Sequence, residues 1–206
     1  MSGKFIVIEG LDGSGKTTQL RLLAARLRSM GRSVAETAEP TASVTGGLCR
    51  DALSGFTPRT GAEIAALFMT DRIAHNVNPI NGIQKLLADG MDVISDRYYY
   101  SSLAYQGSVT DPEWVYQLNI GCPEIRKPDL CVFLDLDDRV CCDRMGTGRS
   151  FREIYENDEA LQAVRRRYFA VFDRLRGRDD IRIVNAARTP EEVAEDVFSA
   201  VASILE

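Results

Sequence analysis

Short apolar runs alternate with longer segments of helical pattern along the chain. The first run, residues 5–8, is continuous and of strand length, as expected of a strand buried on both faces. Further strand candidates lie at 33–37, 91–95, 130–136 and 181–184. The pattern therefore predicts five strands with helices between most of them.

The helical segments are recognised by apolar residues that recur every three or four positions. Leu20, Leu23, Leu27 and Met30 share one face, and Gly31 is placed to end that helix. The same spacing recurs at 64–73 and again in the closing segment, where Pro190 precedes Val193, Val197, Val201 and Ile204.

This β–α alternation predicts an α/β fold of three layers, a parallel sheet with helices on both faces. Crossovers in such a sheet are right-handed, and ligands bind at the carboxyl ends of the strands. No repeat or flexible linker divides the 206 residues. We therefore expect one domain over residues 1–206.

Composition narrows the possible functions without naming one. Apolar residues make up 45% and charged residues 27%, as in an ordinary globular protein. The net charge of −5 argues against broad binding to nucleic acid or to an anionic membrane. No apolar run approaches the ~20 residues that span a bilayer. The apolar run near the N-terminus stops at Glu9 and is too short for a signal peptide, so the cytoplasm is the expected compartment.

The cysteines indicate neither a zinc site nor a disulfide framework. There are five, no C-x-x-C pair occurs, and His75 is the single histidine. Reduced thiols packed as small hydrophobes are the expected state.

Residues 10–17, GLDGSGKT, fit the phosphate-loop pattern G-x-x-x-x-G-K-[ST] between a buried strand and a helix. Backbone N–H groups of such a loop point at phosphate oxygens, and the helix adds the positive end of its dipole. Lys16 is suited to the β- and γ-phosphates and Thr17 to Mg²⁺. The predicted ATP-binding residues of this loop are Gly10, Leu11, Asp12, Gly13, Ser14, Gly15, Lys16, Thr17 and Thr18.

A second group of polar residues follows the strand candidate at 91–95. Asp96 is placed to hold Mg²⁺, and Arg97 to hold a phosphate. A set with three- and four-residue spacing comes next, which predicts a helix face able to contact a sugar or base. Its members are Tyr98, Ser101, Ser102 and Tyr105. An ordinary ion pair and a partly buried amphipathic helix would give the same pattern.

Three segments together resemble the thymidylate kinase family over essentially the whole chain. They are residues 5–19, 68–72 and 96–106, with residues 128–135 similar to the family's next strand. The resemblance implies that Phe68 stacks on thymine, that Arg72 binds a pyrimidine carbonyl, and that Tyr105 crowds a 2′-hydroxyl. The implied acceptor-binding residues are Asp12, Glu39, Arg50, Phe68, Arg72, Arg97, Ser101, Ser102, Tyr105 and Gln106.

The resemblance also implies a mobile lid at about 145–157. Some family members carry an arginine in the phosphate loop where this chain has Gly13. The missing charge is then expected from the lid, and both Arg149 and Arg152 are candidates. Residues 41–43 depart from the family's glycine-rich or acidic turn. The implied adenine contacts are Arg144, Asn185 and Ala186.

The expected function is Mg²⁺-dependent transfer of the ATP γ-phosphoryl group to dTMP, giving dTDP and ADP, in a homodimer. Two alternatives stay open at this point: a P-loop kinase for another nucleoside monophosphate or a deoxynucleoside, and a nucleotide-binding regulator without catalysis. The expected metal ligands are Thr17 and Asp96. The expected catalytic residues are Asp12, Lys16, Arg97, Arg149 and Arg152.

Overall fold

Five parallel strands form one sheet in the part of the chain that the structure, a computed structural model, describes: residues 3–137, 140–141 and 158–205. The predicted lid and three arginines assigned to it or to adenine lie outside the described residues. Those arginines are Arg144, Arg149 and Arg152.

The strands and helices alternate as the apolar pattern predicts. In chain order they are β1 (Phe5–Gly10), α1 (Lys16–Ser29), β2 (Val34–Ala38), α2 (Val44–Ser54), α3 (Gly61–Val77), α4 (Ile83–Ala88), β3 (Asp92–Asp96), α5 (Tyr99–Tyr105), a short 3₁₀ turn (Gln106–Ser108), α6 (Pro112–Ile120), β4 (Leu130–Asp135), α7 (Asp158–Leu175), β5 (Ile181–Asn185) and α8 (Pro190–Ala202).

The strand order is β2-β3-β1-β4-β5. All six residues of β1 are buried because this central strand is covered on both faces and paired on both edges. The chain moves to one side of β1 to form β3 and to the other to form β4. This reversal opens a crevice at the carboxyl end of β1, where ligands bind in open α/β sheets. The predicted three-layer α/β fold is confirmed.

Most of the apolar residues that define the predicted helix faces are buried. Leu20, Leu23 and Leu27 of α1 are buried, whereas Met30 is 54% exposed because the helix ends at Ser29 and Met30 caps it. In α8, Val193, Val197 and Val201 are buried, and α8 packs against α1. Aromatic side chains of α7 pack on Phe133 of β4.

Two helices begin with capping boxes that their sequences encode. Thr60 and Glu63 cap α3 reciprocally, and Thr189 and Glu192 do so for α8. A helix start fixed in this way sets the rotation of α3, and with it the direction of the polar residues that α3 carries toward the sheet edge. Within the described residues, no helix is long and apolar enough to cross a membrane.

Candidate active site

The phosphate loop connects the end of β1 to the start of α1 and curls tightly. Gly10, Gly13 and Gly15 have φ angles of 151°, 82° and 96°, which side-chain-bearing residues rarely adopt. Gly15 caps α1 without any side-chain hydrogen bond to the first turn. The first N–H groups of α1 therefore have no side-chain acceptor, and the loop fits a bound phosphate chain.

Gly13 also has no room for a side chain. A Cβ atom at this position would lie 2.6 Å from the backbone oxygen of Cys141. An arginine in the loop would require this backbone to move. Packing against Cys141 and the positive φ angle thus both favour glycine at this position.

Lys16 is buried and folds back onto its own loop. Its Nζ donates to the Leu11 carbonyl oxygen at 2.9 Å and lies 3.7 Å from Asp12 Oδ1. Burial lowers the pKa of Lys16, and the nearby Arg97 lowers it further. The role predicted for Lys16 is to bind phosphate. A phosphate oxygen would add to the negative charge that Asp12 already places near this ammonium group.

Thr17 and Asp96 are brought together as predicted, although 79 residues separate them. The Thr17 hydroxyl donates to Asp96 Oδ2 at 2.7 Å. Within the described ranges no group of three or more His, Cys, Asp or Glu side chains is arranged to hold a metal ion. The pair suits Mg²⁺, which binds through one or two protein oxygens together with phosphate oxygens and water.

Arg97 has a φ of 71°, and it is the one non-glycine residue with positive φ in the portion of the chain that the structure describes. A left-handed conformation costs roughly 1–2 kcal/mol for an L-residue, so surrounding contacts must hold it. Its guanidinium donates to Asp12 Oδ1 at 2.6 Å and to Ser101 Oγ at 2.9 Å. The strained backbone thereby aims the side chain at the phosphate loop.

Glu9 fixes the chain directly after Arg97. This fully buried carboxylate accepts from the backbone N–H of Tyr98 at 2.8 Å and from the Ser101 hydroxyl at 2.8 Å. The Tyr168 hydroxyl of α7 donates to it at 2.9 Å. Burial raises the pKa of Glu9 above its ordinary value despite these bonds and the Arg97 charge. Glu9 was not among the predicted site residues, although a lone carboxylate in an apolar strand was a usable signal.

Ser101, predicted to contact a sugar or base, therefore lies in this buried hydrogen-bond network.

Tyr98 was predicted to share a helix face with Ser101, Ser102 and Tyr105, and this is wrong because Tyr98 precedes α5. Its ring packs edge-on against Phe5, and its hydroxyl donates to Asn76 Oδ1 at 2.9 Å. Tyr98 is a core residue because β3 ends two positions earlier and the chain turns inward there.

Arg72 is also buried, and its partner is Glu39. Arg72 Nε and Nη2 lie 2.8 and 2.6 Å from Glu39 Oε2. Nη1 donates to the Ser102 hydroxyl at 3.0 Å and to the side-chain oxygen of Asn119. The structure thus joins three predicted acceptor residues and adds Asn119, which the sequence pattern did not distinguish from an ordinary polar residue of α6.

The other predicted acceptor residues come from α3, α5 and the turn that follows α5. Phe68 is half-buried one helical turn before Arg72 on α3. The Tyr105 ring lies 5.4 Å from the Arg97 guanidinium carbon, and Gln106 is buried in the 3₁₀ turn after α5. A cavity of about 370 Å³ opens beside the phosphate loop, and of the predicted acceptor residues Asp12, Glu39 and Arg97 line it. Its polar lining includes Asp12, Lys16, Thr17, Glu39, Asp96 and Arg97.

The turn after β2 is organised by Asp71 of α3. Asp71 accepts from the Thr41 N–H at 2.8 Å and from the Thr41 and Thr45 hydroxyls, each at 2.6 Å. The ordered turn presents the Pro40 and Thr41 carbonyl oxygens to Arg50, whose Nη1 lies 3.2 and 2.6 Å from them. The hydroxyls of Thr41 and Ser43 in this turn and of Thr45 at the start of α2 therefore share one carboxylate.

The described adenine candidates lie at the far side of the sheet. Asn185 ends β5, and its side-chain oxygen accepts from the Ala187 N–H at 2.9 Å. The Ala186 N–H donates to the Asp135 carbonyl oxygen at 2.8 Å. Both residues thus lie at the carboxyl end of the sheet, although the structure alone does not bring them to the cavity.

A phosphate loop after the central strand, with a strand-end aspartate and arginine beside it, defines a P-loop protein of the kinase class. The chain belongs to the thymidylate kinase family, whose model matches residues 8–197. It is 38% identical to a probable thymidylate kinase of Pyrococcus horikoshii, over 98% of this chain and 97% of that protein.

Two further relatives agree over similar lengths. A probable thymidylate kinase of Thermococcus onnurineus is 40% identical over 96% of each chain. The thymidylate kinase of Pelotomaculum thermopropionicum is 37% identical over 100% of this chain and 96% of its own. The similarity thus extends over the phosphate loop, the Arg72 region and the Asp96–Arg97 region together.

The hydrogen bonds to Asp71 predict a specific acid sensitivity. Burial alone would raise the Asp71 pKa, but the bonds from Thr41 and Thr45 outweigh it and the pKa is lowered. An unfolded aspartate titrates near about 3.9. The stabilisation is therefore complete above about pH 5 and is lost as the pH falls through the lower folded pKa.

Urea unfolding of the wild type and Asp71→Asn at several pH values measures this contribution. We expect the difference in the free energy of unfolding to be constant near neutral pH and to shrink below about pH 4. A difference that persists unchanged into that acid range would contradict the role assigned to these hydrogen bonds.

Proposed function

We propose that the chain transfers the γ-phosphoryl group of ATP to dTMP, giving ADP and dTDP. The observation that carries the proposal is the shared cavity, which is lined by Lys16 and Thr17 on one side and by Glu39 and Arg97 on the other. Residues suited to a phosphate donor thus face residues suited to a phosphorylated acceptor. Family membership favours thymidylate as that acceptor.

The residues act by alignment and by neutralising charge. The dTMP phosphate is already a competent nucleophile, so the site needs no strong general base. Lys16 binds the β- and γ-phosphates once its bond to Leu11 is exchanged, and Arg97 binds the acceptor phosphate. Asp12 lies between these two cations, 3.7 Å from Lys16 and 2.6 Å from Arg97, and its negative charge offsets the repulsion between them.

Thr17 and Asp96 would hold Mg²⁺, directly or through water. The ion would supply positive charge that offsets the negative charge of the triphosphate. Arg149 or Arg152 of the lid is proposed to complete the positive charge, because Gly13 cannot carry an arginine where it packs on Cys141. Arg144, Asn185 and Ala186 are proposed to enclose adenine.

Acceptor identity is proposed to rest on residues behind the cavity-lining Glu39 and Arg97, which contact Arg72 and Tyr105. Phe68 offers an aromatic face for the base, Arg72 offers donors for a pyrimidine carbonyl, and Tyr105 limits space at the sugar 2′ position. Ser102 and Asn119 orient Arg72. A kinase for a different acceptor would not require this combination, and a non-catalytic regulator would not require Asp96 and Arg97 beside Lys16. Localisation to the cytoplasm stays a prediction.

Initial rates with dTMP, dUMP, UMP and thymidine as acceptors test the substrate assignment. We expect the highest kcat/KM with dTMP and a severalfold lower value with dUMP, since one methyl group contributes about 1 kcal/mol. UMP should react poorly because its 2′-hydroxyl meets Tyr105, and thymidine should not react because it lacks the phosphate. Equal use of UMP or thymidine would refute dTMP as the acceptor.

Lys16→Ala is the matched control for the same assay. Loss of a cation aimed at developing charge should lower dTMP-dependent ADP formation by ~10²–10³. A wild-type protein that binds ATP but forms no ADP with any of these acceptors would support the regulator.

We also propose that the chain forms a homodimer through α2. Val44 is 85% exposed, and Leu48 lies one turn away on the same face and is also exposed. Phe56 adds an exposed ring just beyond the helix. Exposed apolar side chains clustered in this way are typical of a protein–protein interface, and a second copy of the chain offers the same surface.

Sedimentation velocity of the wild type, Val44→Glu and Met30→Glu tests this interface. Met30 is exposed on α1, so its variant controls for added charge alone. We expect Val44→Glu to sediment as a monomer at concentrations where the wild type and Met30→Glu are dimers. A monomeric wild type, or a Val44→Glu dimer as stable as the wild type, would exclude this interface.

A further inference from the structure

The single histidine of the chain contacts Glu39, a residue that lines the cavity, and the proposed phosphoryl transfer gives it no part. His75 is 9% exposed and lies three residues after Arg72 on α3, so both side chains project from one face of the helix. Its two ring nitrogens each have a partner. Nδ1 is 2.9 Å from Glu39 Oε1, and Nε2 is 2.7 Å from Thr37 Oγ1.

Glu39 divides its two oxygens between two partners. Oε1 faces His75, whereas Oε2 receives Arg72 Nε at 2.8 Å and Nη2 at 2.6 Å. The side chains of Glu39 and Arg72 are 2% and 1% exposed, so water has little access to either. In such surroundings a rotamer of Glu39 that leaves a carboxylate oxygen without a hydrogen bond would cost free energy. The orientation of Glu39 is therefore set by its two partners.

The chemistry of these partners fixes the protonation of His75 at Nδ1. A carboxylate that pairs with a guanidinium accepts hydrogen bonds and has none to donate, so Nδ1 must carry a proton. The Thr37 hydroxyl can donate a hydrogen bond to Nε2 or accept one from it. Thr37 belongs to β2, so the imidazole also connects the edge strand of the sheet to the carboxylate that holds Arg72.

We propose that His75 is a positioning residue for recognition of the pyrimidine base. Its Nδ1–H holds Glu39 so that Oε2 faces Arg72, and Arg72 is thereby kept in the direction that meets a base carbonyl. The inference rests on the proposed dTMP kinase function. It assigns His75 no contact with substrate and no role in the transfer itself, so its effect falls on acceptor binding.

Two substitutions separate this role from simple filling of space. The side-chain nitrogen of asparagine reaches approximately the Nδ1 position, and that of glutamine approximately the Nε2 position. His75→Gln therefore loses the donor to Glu39 and keeps a group near Thr37. His75→Asn keeps the donor and loses the contact with Thr37, although it fills less space and leaves the larger cavity.

Steady-state kinetics of both variants form the first part of the test, with thermal unfolding to confirm that each is folded. We expect the KM for dTMP to rise about tenfold in His75→Gln, because this variant loses one hydrogen bond to a charged group. The kcat and the KM for ATP should change less than about threefold, and His75→Asn should recover most of the KM. A space-filling histidine predicts the reverse order, with the smaller asparagine worse, and that result would overturn the proposal.

¹⁵N NMR of the imidazole provides a readout that does not depend on turnover. Because His75 is the sole histidine, the ring nitrogen signals need no further assignment. We expect Nδ1 to be protonated, and addition of dTMP to shift these signals while ATP alone does not. An unprotonated Nδ1 would overturn the proposal.

The two proposals fail in different ways. If the wild type shows no preference for dTMP, the proposed function is wrong, and the NMR result still reports whether Nδ1 donates to Glu39. If the wild type prefers dTMP but His75→Gln binds it with an unchanged KM, the substrate assignment stands and the role of His75 is refuted.

Discussion

The arrangement of the site depends on the buried hydrogen bonds that Glu9 accepts from Tyr98, Ser101 and Tyr168. A carboxylate deep in a parallel sheet is costly, and burial raises its pKa. The three hydrogen bonds offset that cost, and through them Glu9 links β1 to the start of α5 and to α7. These contacts fix the chain directly after Arg97, while the Arg97 N–H donates to the Ile8 carbonyl oxygen and the Ser95 hydroxyl donates to the Arg97 carbonyl oxygen. The left-handed backbone held in this way aims the guanidinium at Asp12.

The rest of the site follows from the parallel sheet. The carboxyl ends of β1, β2 and β3 meet at the same edge, so the phosphate loop, Glu39 and Asp96 converge although the chain between them is long. α3 then supplies the acceptor side with Asp71, Arg72 and His75 from less than two turns. Asp71 orders the turn near Arg50, Arg72 pairs with Glu39, and His75 supports that pair.

Local pattern was sufficient to predict the five strands and the helices α1, α3, α5 and α8, but not α2, α4 or α6, and it named Thr17 and Asp96 as ligands of one metal ion. A phosphate loop is a continuous motif, and strand-end residues of a parallel sheet are neighbours by topology. Glu9, Asn119 and His75 were not predicted as functional, because their partners come from elements remote in sequence and their spacing is that of ordinary core or helix positions. Tyr98 was misplaced because helical spacing was extended one residue beyond the true start of α5.

A crystal structure with dTMP and a non-hydrolysable ATP analogue bound together would show whether donor and acceptor meet between Lys16 and Arg97. We expect the acceptor phosphate within hydrogen-bond distance of Arg97, a base carbonyl at Arg72 and the triphosphate along residues 10–17. A base bound away from Arg72, or an acceptor phosphate that does not reach Arg97, would contradict it.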